Sequence, residues 1–334
     1  MDNYLSFMGI DLAKETLDIC LFDGNNYYAF TVENSVKAIR KKFKSDNILQ
    51  LINWQRTLIC MEHTGIYNHH LLSFLKEQQT NIWLENPVHI KRSLGLIRGK
   101  NDKADAKRIV QFAFRNRDQV KLWQPQRPIL QQLKNLTSLR NRLIKAIQSL
   151  EVPLAELKSF TNREQYLQLK KACTSSIAHM KSDLKRTDLL IKEIIKSDEH
   201  LFSLFTQITS VECIGPVTAA NIIVVTNEFV NFSDPKKFAC YSGIAPFEYS
   251  SGSSVRGKTR VSHMANKHLK MLLHMASLAA IRTPGELQTY YNRKITEGKN
   301  KMLVLNAIRN KLVLRIFACV KNQKLYSKNI NLAA

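Results

Sequence analysis

Three short runs near the amino end, LSFMGID (5–11), TLDICLFD (16–23) and YYAFTV (27–32), constrain the fold more than any other feature of this chain. They are rich in β-branched and aromatic residues, and the gaps between them are a few residues long, the second carrying Gly24, Asn25 and Asn26. Gaps this short cannot hold a crossover helix, so the runs are predicted to pair as an antiparallel meander. A basic helical segment, SVKAIRKKFKSD (35–46), follows. Next come an apolar strand TLICME (57–62), a helix from about Tyr67 to Gln78, a strand NIWLEN (81–86) and a helix from about Asp102 to Phe114. Three strands followed by alternating helix and strand predict a mixed α/β sheet.

The period then changes. From about Pro128 to His200 apolar residues recur at helical spacing, among them Leu130, Leu133, Leu136, Leu139, Leu143, Ile147 and Leu150. This predicts a helical hairpin or coiled-coil arm, broken near Pro153 and again at the loop SFTNREQ (159–165). Beyond Leu201, ITSVECIGPVTAANIIVV reads as two helices about a tight Gly215-Pro216 turn, a hairpin that directs backbone N–H groups at a phosphate. FSDPKKFACYSGIAPF continues with helix and turn, and two basic helices run on to about Lys324. A chain of 334 residues exceeds one ordinary core. The expected division is an α/β domain at 1–125, a helical arm at 126–200, a mainly helical domain at 201–325 and a tail at 326–334.

Lys and Arg number 50 against 27 Asp and Glu, a formal charge of +23. Such an excess repels itself unless a polyanion neutralises it, and nucleic acid is the favoured partner. The apolar stretch MLVLNAIRNKLVLRIFACV (302–320) is interrupted by Arg309, Asn310, Lys311 and Arg315, which makes it an amphipathic helix rather than a membrane span. The amino end lacks the pattern of a signal peptide, so a cytoplasmic protein without membrane partners is expected. The six cysteines lie far apart with no CxxC pair, as buried reduced thiols do and zinc ligands do not.

Asp11 closes the first strand and Glu62 the fourth, while Asp102 and Asp105 are three apart on one helix face. Singly, each reads equally as a strand-end residue, a surface acid, or an N-cap with its first-turn partner. Jointly, at the ends of these elements and in this order, they form the oxygen donor set expected for two Mg²⁺ ions in phosphodiester chemistry. Lys14, Arg98, Lys100, Lys103, Lys107 and Arg108 flank them, a positive rim suited to a nucleic-acid backbone. Asp18 and Asp23 are expected to face solvent. His63, His69 and His70 have poor ligand spacing and read as surface or structural residues.

The stretch EYSSGSSVRGKTRVSH (248–263) combines serines and glycines with Arg256, Lys258 and Arg260. Gly252 lets the preceding serine be presented on an exposed, mobile tip, and the cations can hold a phosphate. Nothing local supplies a base, so composition alone makes it a basic phosphate-binding or linker loop.

MGIDLAKETLDICLF, CMEHTGIY, NPVHIKRSLGLIRGKNDKADAKRI, CIGPVTAANII, YSGIAPFEYSSGSSVRGKTRVSH and ANKHLKMLLHMA occur in this order from about residue 5 to 325. Together they closely resemble the insertion sequence 110 family of transposases, which includes Piv-type DNA invertases. The resemblance implies a RuvC-like, ribonuclease H-type domain with an Asp-Glu-Asp-Asp (DEDD) site on Asp11, Glu62, Asp102 and Asp105, a coiled-coil arm and a C-terminal transposase domain. It implies a nucleophilic serine before a glycine, which falls on Ser251, with Ser250 the neighbouring alternative. It also implies a Mg²⁺-dependent DNA recombinase forming a covalent phosphoserine intermediate. Members work as dimers pairing into tetramers, and a structured bridge RNA joins donor and target DNA. The chain departs from the family in carrying His263 and Ala265 where a basic residue and a glycine are common. The serine and the acids fall in different domains and could act within one chain or across two.

Three rival readings remain at this level. One is a RuvC-like nuclease using water, with the serine loop only binding phosphate. The second is an actin-like sugar or acetate kinase, for which a second glycine-rich nucleotide loop is not found. The third is a non-catalytic nucleic-acid scaffold.

Overall fold

The computed structural model describes residues 4–50, 52–93, 102–251, 255–261 and 264–327. They divide into two compact units, 1–125 and 126–334.

The first unit is built on five strands: β1 (Ser6–Leu12), β2 (Thr16–Phe22), β3 (Tyr27–Glu33), β4 (Thr57–Glu62) and β5 (Asn81–Glu85). Their order in the sheet is β3-β2-β1-β4-β5, with β1 antiparallel to β2, β2 antiparallel to β3, and β4 and β5 added parallel to β1. This is the mixed sheet read from the sequence, and it is consistent with a ribonuclease H-like fold. Helices α1 (Val36–Ser45), α2 (Asn47–Gln50) and α3 (His69–Glu77) supply Ile39, Phe43, Leu49, Leu71, Phe74 and Leu75 to one face. There they pack with Met8, Ile10, Ile19, Ile59 and Met61. On the other face α4 (Pro87–Ser93) and α5 (Asp102–Arg115) bring Ile90, Ala106, Ile109, Val110 and Ala113 against Phe7, Cys20, Leu58, Cys60 and Trp83. Alternate residues of β1, β2, β4 and β5 thus enter opposite cores, which is why β2 and β4 are apolar almost throughout, while the edge strand β3 turns only one face inward.

Among its described residues the second unit is helical apart from one hairpin. α6 (Pro128–Phe160) and α7 (Arg163–Ser197) pair along their length and turn at Thr161 and Asn162, where the Asn162 side chain caps α7 by accepting from the Gln165 N–H at 2.9 Å. The break expected at Pro153 does not occur, because α6 runs through it. A proline removes one helical hydrogen bond and crowds one carbonyl, a cost that the pairing of α6 with α7 offsets. α8 (Glu199–Ser210), α9 (Pro216–Thr226) and α10 (Pro235–Tyr241) follow, with α9 opening after Gly215 on Pro216 at its first position. Beyond β6 (Pro246–Ser251) and β7 (Val255–Val261) come α11 (Lys267–Arg282), α12 (Glu286–Thr296) and α13 (Lys301–Lys321). The two basic helices expected here are three, because Thr283, Pro284 and Gly285 stop the first. One core joins Leu133, Ile195, Leu204, Ile223, Phe238, Leu273, Ile308 and Ile316.

Arg127 ties the start of α6 to two later elements. Its guanidinium donates to both carboxylate oxygens of Asp198, at 2.7 and 2.9 Å, and to Glu228, at 2.9 Å through Nε. Asp198 also caps α8 by accepting from the Leu201 N–H at 2.8 Å. Among the described residues no helix is long and apolar enough to cross a membrane.

Candidate active site

The parallel ladder between β1 and β4 ends at the pair Ile10 and Met61, so Asp11 and Glu62 come next, side by side at the carboxyl ends of two central strands. Ile10 and Met61 belong to the core under α1 and α3. Alternation therefore turns Asp11 and Glu62 to the opposite face, the one covered by α5. Asp11 is registered with Asp18 on β2, and Glu62 with Glu85 on β5. Four carboxylates thus form a row across four adjacent strands.

The outer two are held. Asp18 is 8% exposed and accepts a hydrogen bond from Thr31 Oγ1 at 2.5 Å. Glu85 accepts from Trp83 Nε1 at 3.1 Å and from the Asn86 N–H at 2.7 Å, and it meets His89 Nδ1 at 3.0 Å. The expectation that Asp18 faces solvent is therefore wrong. β2 is an interior strand covered on both faces, so its polar position is enclosed and has to find a partner. Asp23 is exposed, at a turn, where its carboxylate accepts from the N–H groups of Asn25 and Asn26.

Asp105 reaches the same end of the sheet because α5 runs antiparallel to β1. Phe114, near the end of α5, stacks edge-on against Phe7 and Phe22 at centroid distances of 5.2 Å. One and two turns back, Val110 and Ala106 lie over Gly9. A Cβ at Gly9 would stand 2.3 Å from Val110 N and 2.4 Å from Ala106 O. The absent side chain is what lets the helix sit this low and bring Asp105 toward Asp11. Sequence reasoning passed over Gly9, although a glycine inside an apolar strand marks a close approach of backbone. Asp102 opens α5 one turn earlier, and its side chain lies outside the described residues.

Electrostatics report the same convergence. The Glu62 carboxyl is pushed above its ordinary range, first by burial and then by Asp11, with Lys91 opposing and Asp105 adding to the rise. Glu62 therefore stands in the field of two of the other three sequence-predicted acids. Among the described residues no three His, Cys, Asp or Glu side chains are grouped as metal ligands.

The cationic rim is partly in view. Arg108 Nη1 donates to Asp105 Oδ1 at 2.5 Å, and Lys107 Nζ lies 4.4 Å from the Tyr27 ring centroid. Lys14, just past the end of β1, and Lys103, at the start of α5, are exposed. Arg98 and Lys100 lie outside the described residues. Lys91, close enough to influence Glu62, was not singled out from the sequence.

The described residues of the serine stretch lie in two paired strands rather than in a loop. Residues Pro246–Ser251 and Val255–Val261 form an antiparallel hairpin, with Ser250 paired to Arg256 and Ser251 to Val255. β-branched Val255, Thr259 and Val261 favour strand on the returning arm. Ser251 thus closes a strand, and Gly252, on which the expected tip depends, lies outside the described residues. Arg256, Lys258 and Arg260 occupy alternate positions of β7, whose pairing shifts by one residue between Phe247 and Tyr249. The side chains of Ser251 and these three cations lie outside the described residues. The hairpin base is anchored on helices: Asn306 Nδ2 donates to Ile244 O at 2.6 Å, and the Asn266 N–H to Tyr241 O at 2.8 Å.

Comparison with known proteins follows the same division. A family model described as "Transposase", of the DEDD type of IS110, matches residues 8–161, and one described as "Transposase IS116/IS110/IS902 family" matches residues 206–292. The pilin gene-inverting protein of Moraxella lacunata is 25% identical over 98% of this chain and 99% of its own length, and that of Moraxella bovis is identical to the same extent over the same shares. An uncharacterized 43.6 kDa protein of insertion element IS110 from Streptomyces coelicolor is 26% identical over 37% of this chain and 30% of its own. With the carboxylate-bearing and the serine-bearing segments each matched to a model of one group, in order and over more than half of the sequence, this chain belongs to the insertion sequence 110 family of transposases.

Proposed function

We propose that this transposase cuts and rejoins DNA strands through Ser251, with Asp11, Glu62, Asp102 and Asp105 as the metal-binding acids and a bridge RNA selecting the DNA. The observation that carries the reading is the register of Asp11 beside Glu62 under a helix that brings Asp105 to the same strand ends. Carboxylates crowded this way repel one another, and their oxygens are the ligands a hard divalent cation prefers, so the donor set fits Mg²⁺. When bound there, Mg²⁺ would supply Lewis-acid polarisation of a phosphate.

The chain's own residues do the rest. The Ser251 hydroxyl attacks a backbone phosphorus, forming a serine–phosphate bond as the bond to a DNA oxygen breaks, and the serine proton ends on that leaving oxygen. A free hydroxyl of the exchange partner then attacks the phosphoserine, restoring the serine and a DNA phosphodiester. The number of high-energy bonds is unchanged, so no nucleotide cofactor is required. Arg256, Lys258 and Arg260 neutralise the phosphates on either side, as Lys14, Arg98, Lys100, Lys103, Lys107 and Arg108 do beside the acids. The relatives named for inverting a pilin gene support a strand-exchange reaction over simple hydrolysis. The charge of +23 supports an RNA partner in addition to DNA. Homodimers pairing into tetramers complete the proposal.

The test is to purify the protein, sequence the RNA that accompanies it, and assay exchange on DNA carrying the element's junction. One discrete RNA and Mg²⁺-dependent exchange, abolished in Asp11→Asn and Glu62→Gln, are expected. Random host RNA would remove the guide from the proposal, and exchange unaffected by both substitutions would remove the acids.

A further inference from the structure

Glu85 closes β5 in register with Glu62, at the same strand ends and on the same face of the sheet, and its carbonyl accepts from the His63 N–H at 3.2 Å. Both of its carboxylate oxygens are engaged by its own segment. Oε2 accepts from Trp83 Nε1 at 3.1 Å, and Oε1 accepts from the Asn86 N–H at 2.7 Å while meeting His89 Nδ1 at 3.0 Å. A carboxylate tied on both oxygens is poorly placed to join the four acids as a metal ligand and well placed to hold a ring. The turn that carries the ring is fixed as well. Asn86 caps α4 by accepting from the Val88 N–H at 2.9 Å, and Ile90 buries itself against the sheet.

An ionised carboxylate only accepts, so Nδ1 carries the hydrogen of its bond to Glu85, and Nε2 is left to take up or give away a proton. The His89 side chain is 62% exposed, open to a strand laid across the site, whereas that of Glu85 is 18% exposed. Lys91, two residues further along α4, acts on the Glu62 carboxyl, which sets this short helix beside the acids. An exposed ion pair made for stability alone gains little and needs no indole to lock its carboxylate. A carboxylate that orients an imidazole whose far nitrogen faces the reacting groups is the arrangement of a proton-transfer pair.

We propose that His89, positioned by Glu85, is the general acid and base of strand exchange, moving a proton to and from the DNA oxygen whose bond to phosphorus is broken and remade. In the first step imidazolium Nε2–H gives its proton to that oxygen as the bond breaks, leaving neutral imidazole, and water takes the proton that Ser251 loses. Counted over imidazole and water together, one proton has passed from serine to the leaving oxygen. In the second step Nε2 takes the proton of the attacking hydroxyl, and the Ser251 oxygen recovers one from water. Glu85 keeps the Nδ1 hydrogen in place throughout. The inference rests on the reading of these strand ends as the place where DNA is cut, and the two fail in distinguishable ways.

Strand exchange by the full-length protein is timed on DNA in which sulfur replaces one bridging oxygen of the scissile phosphate, the 3′ or the 5′ in turn, because a sulfur leaving group departs without needing a proton. On ordinary DNA His89→Gln should be slower by about a hundredfold or more, with DNA binding and melting temperature unchanged. With sulfur at the leaving position the deficit should vanish. Glu85→Gln, which keeps the shape and loses the charge, should be slowed to a smaller extent and be restored by the same DNA. A native rate in His89→Gln would overturn the proposal. So would an equal deficit on oxygen and sulfur DNA, which would make His89 a phosphate contact, or a deficit relieved by added Mg²⁺, which would make it a metal contact. An unaltered protein that exchanges no strands would instead refute the recombinase reading, and this step with it.

Discussion

At Gly9 the absence of one methyl group sets the distance between two of the proposed catalytic acids. Gly9→Ala would drive a Cβ into the backbone of α5 at Ala106 and Val110, and backbone cannot rotate aside as a flexible side chain does. Lifting α5 should cost about 3 kcal/mol of stability in the first unit and abolish strand exchange by carrying Asp105 away from Asp11. Urea unfolding and the exchange assay check this, and an alanine protein with native stability would contradict the close approach. A second residue-scale prediction concerns acid. Arg127 and the α8 cap hold the Asp198 carboxyl down to about 2. Its pKa is lower folded than unfolded, so its contribution is fully present above about pH 4 and is lost as the pH falls toward 2. Asp198→Asn should cost about 1 kcal/mol at neutral pH, once solvent screening at Arg127 is allowed for, and should flatten the loss of stability in that window. Denaturant melts at stepped pH would reveal it, and parallel curves for the two proteins would count against it. Asp11 and Glu62 were legible in the sequence because each lies at the carboxyl end of a recognisable strand. Glu85, Lys91 and the burial of Asp18 were not, because which strands lie inside the sheet, and under which helix, is fixed only by tertiary packing.

Among elements, the five strands of the first unit were legible nearly residue for residue, since β1 to β3 are separated by short turns and β4 and β5 are compact apolar runs set between helical segments. Two places were misjudged because context overrides local preference. α6 continues through Pro153 because α7 packs alongside it, so the proline's local penalty is absorbed. Pro153→Ala should restore the missing backbone bond and stabilise the second unit by about 1–3 kcal/mol, read as a rise in melting temperature. A fall would mean that the pairing of α6 with α7 depends on the proline. The serine stretch looked like a flexible tip because serine and glycine suggest one, yet its two arms pair across a ladder. The proposed nucleophile sits at a strand end, with the hairpin base clamped by Asn306 and Asn266, which fixes its backbone more than a linker would.

For the whole molecule, charge and chemistry are separate properties. The excess of +23 predicts tight binding of nucleic acid that weakens steeply with salt, whereas in the proposed mechanism the acids and the serine decide only whether strands are exchanged. Substituting an acid should therefore leave binding in place, a separation that a purely structural role for those residues would not give. The domain functions were legible only through the family resemblance, because no periodicity or spacing distinguishes a recombinase serine from a phosphate-binding one. The most direct test of Ser251 as nucleophile is trapping of a covalent protein–DNA adduct during Mg²⁺-dependent exchange, with Ser251→Ala beside the unaltered protein. The unaltered protein should yield an adduct on Ser251, and the variant no adduct and exchange reduced by roughly a thousandfold or more, with nucleic-acid binding retained. Exchange at the native rate by Ser251→Ala would contradict a serine nucleophile.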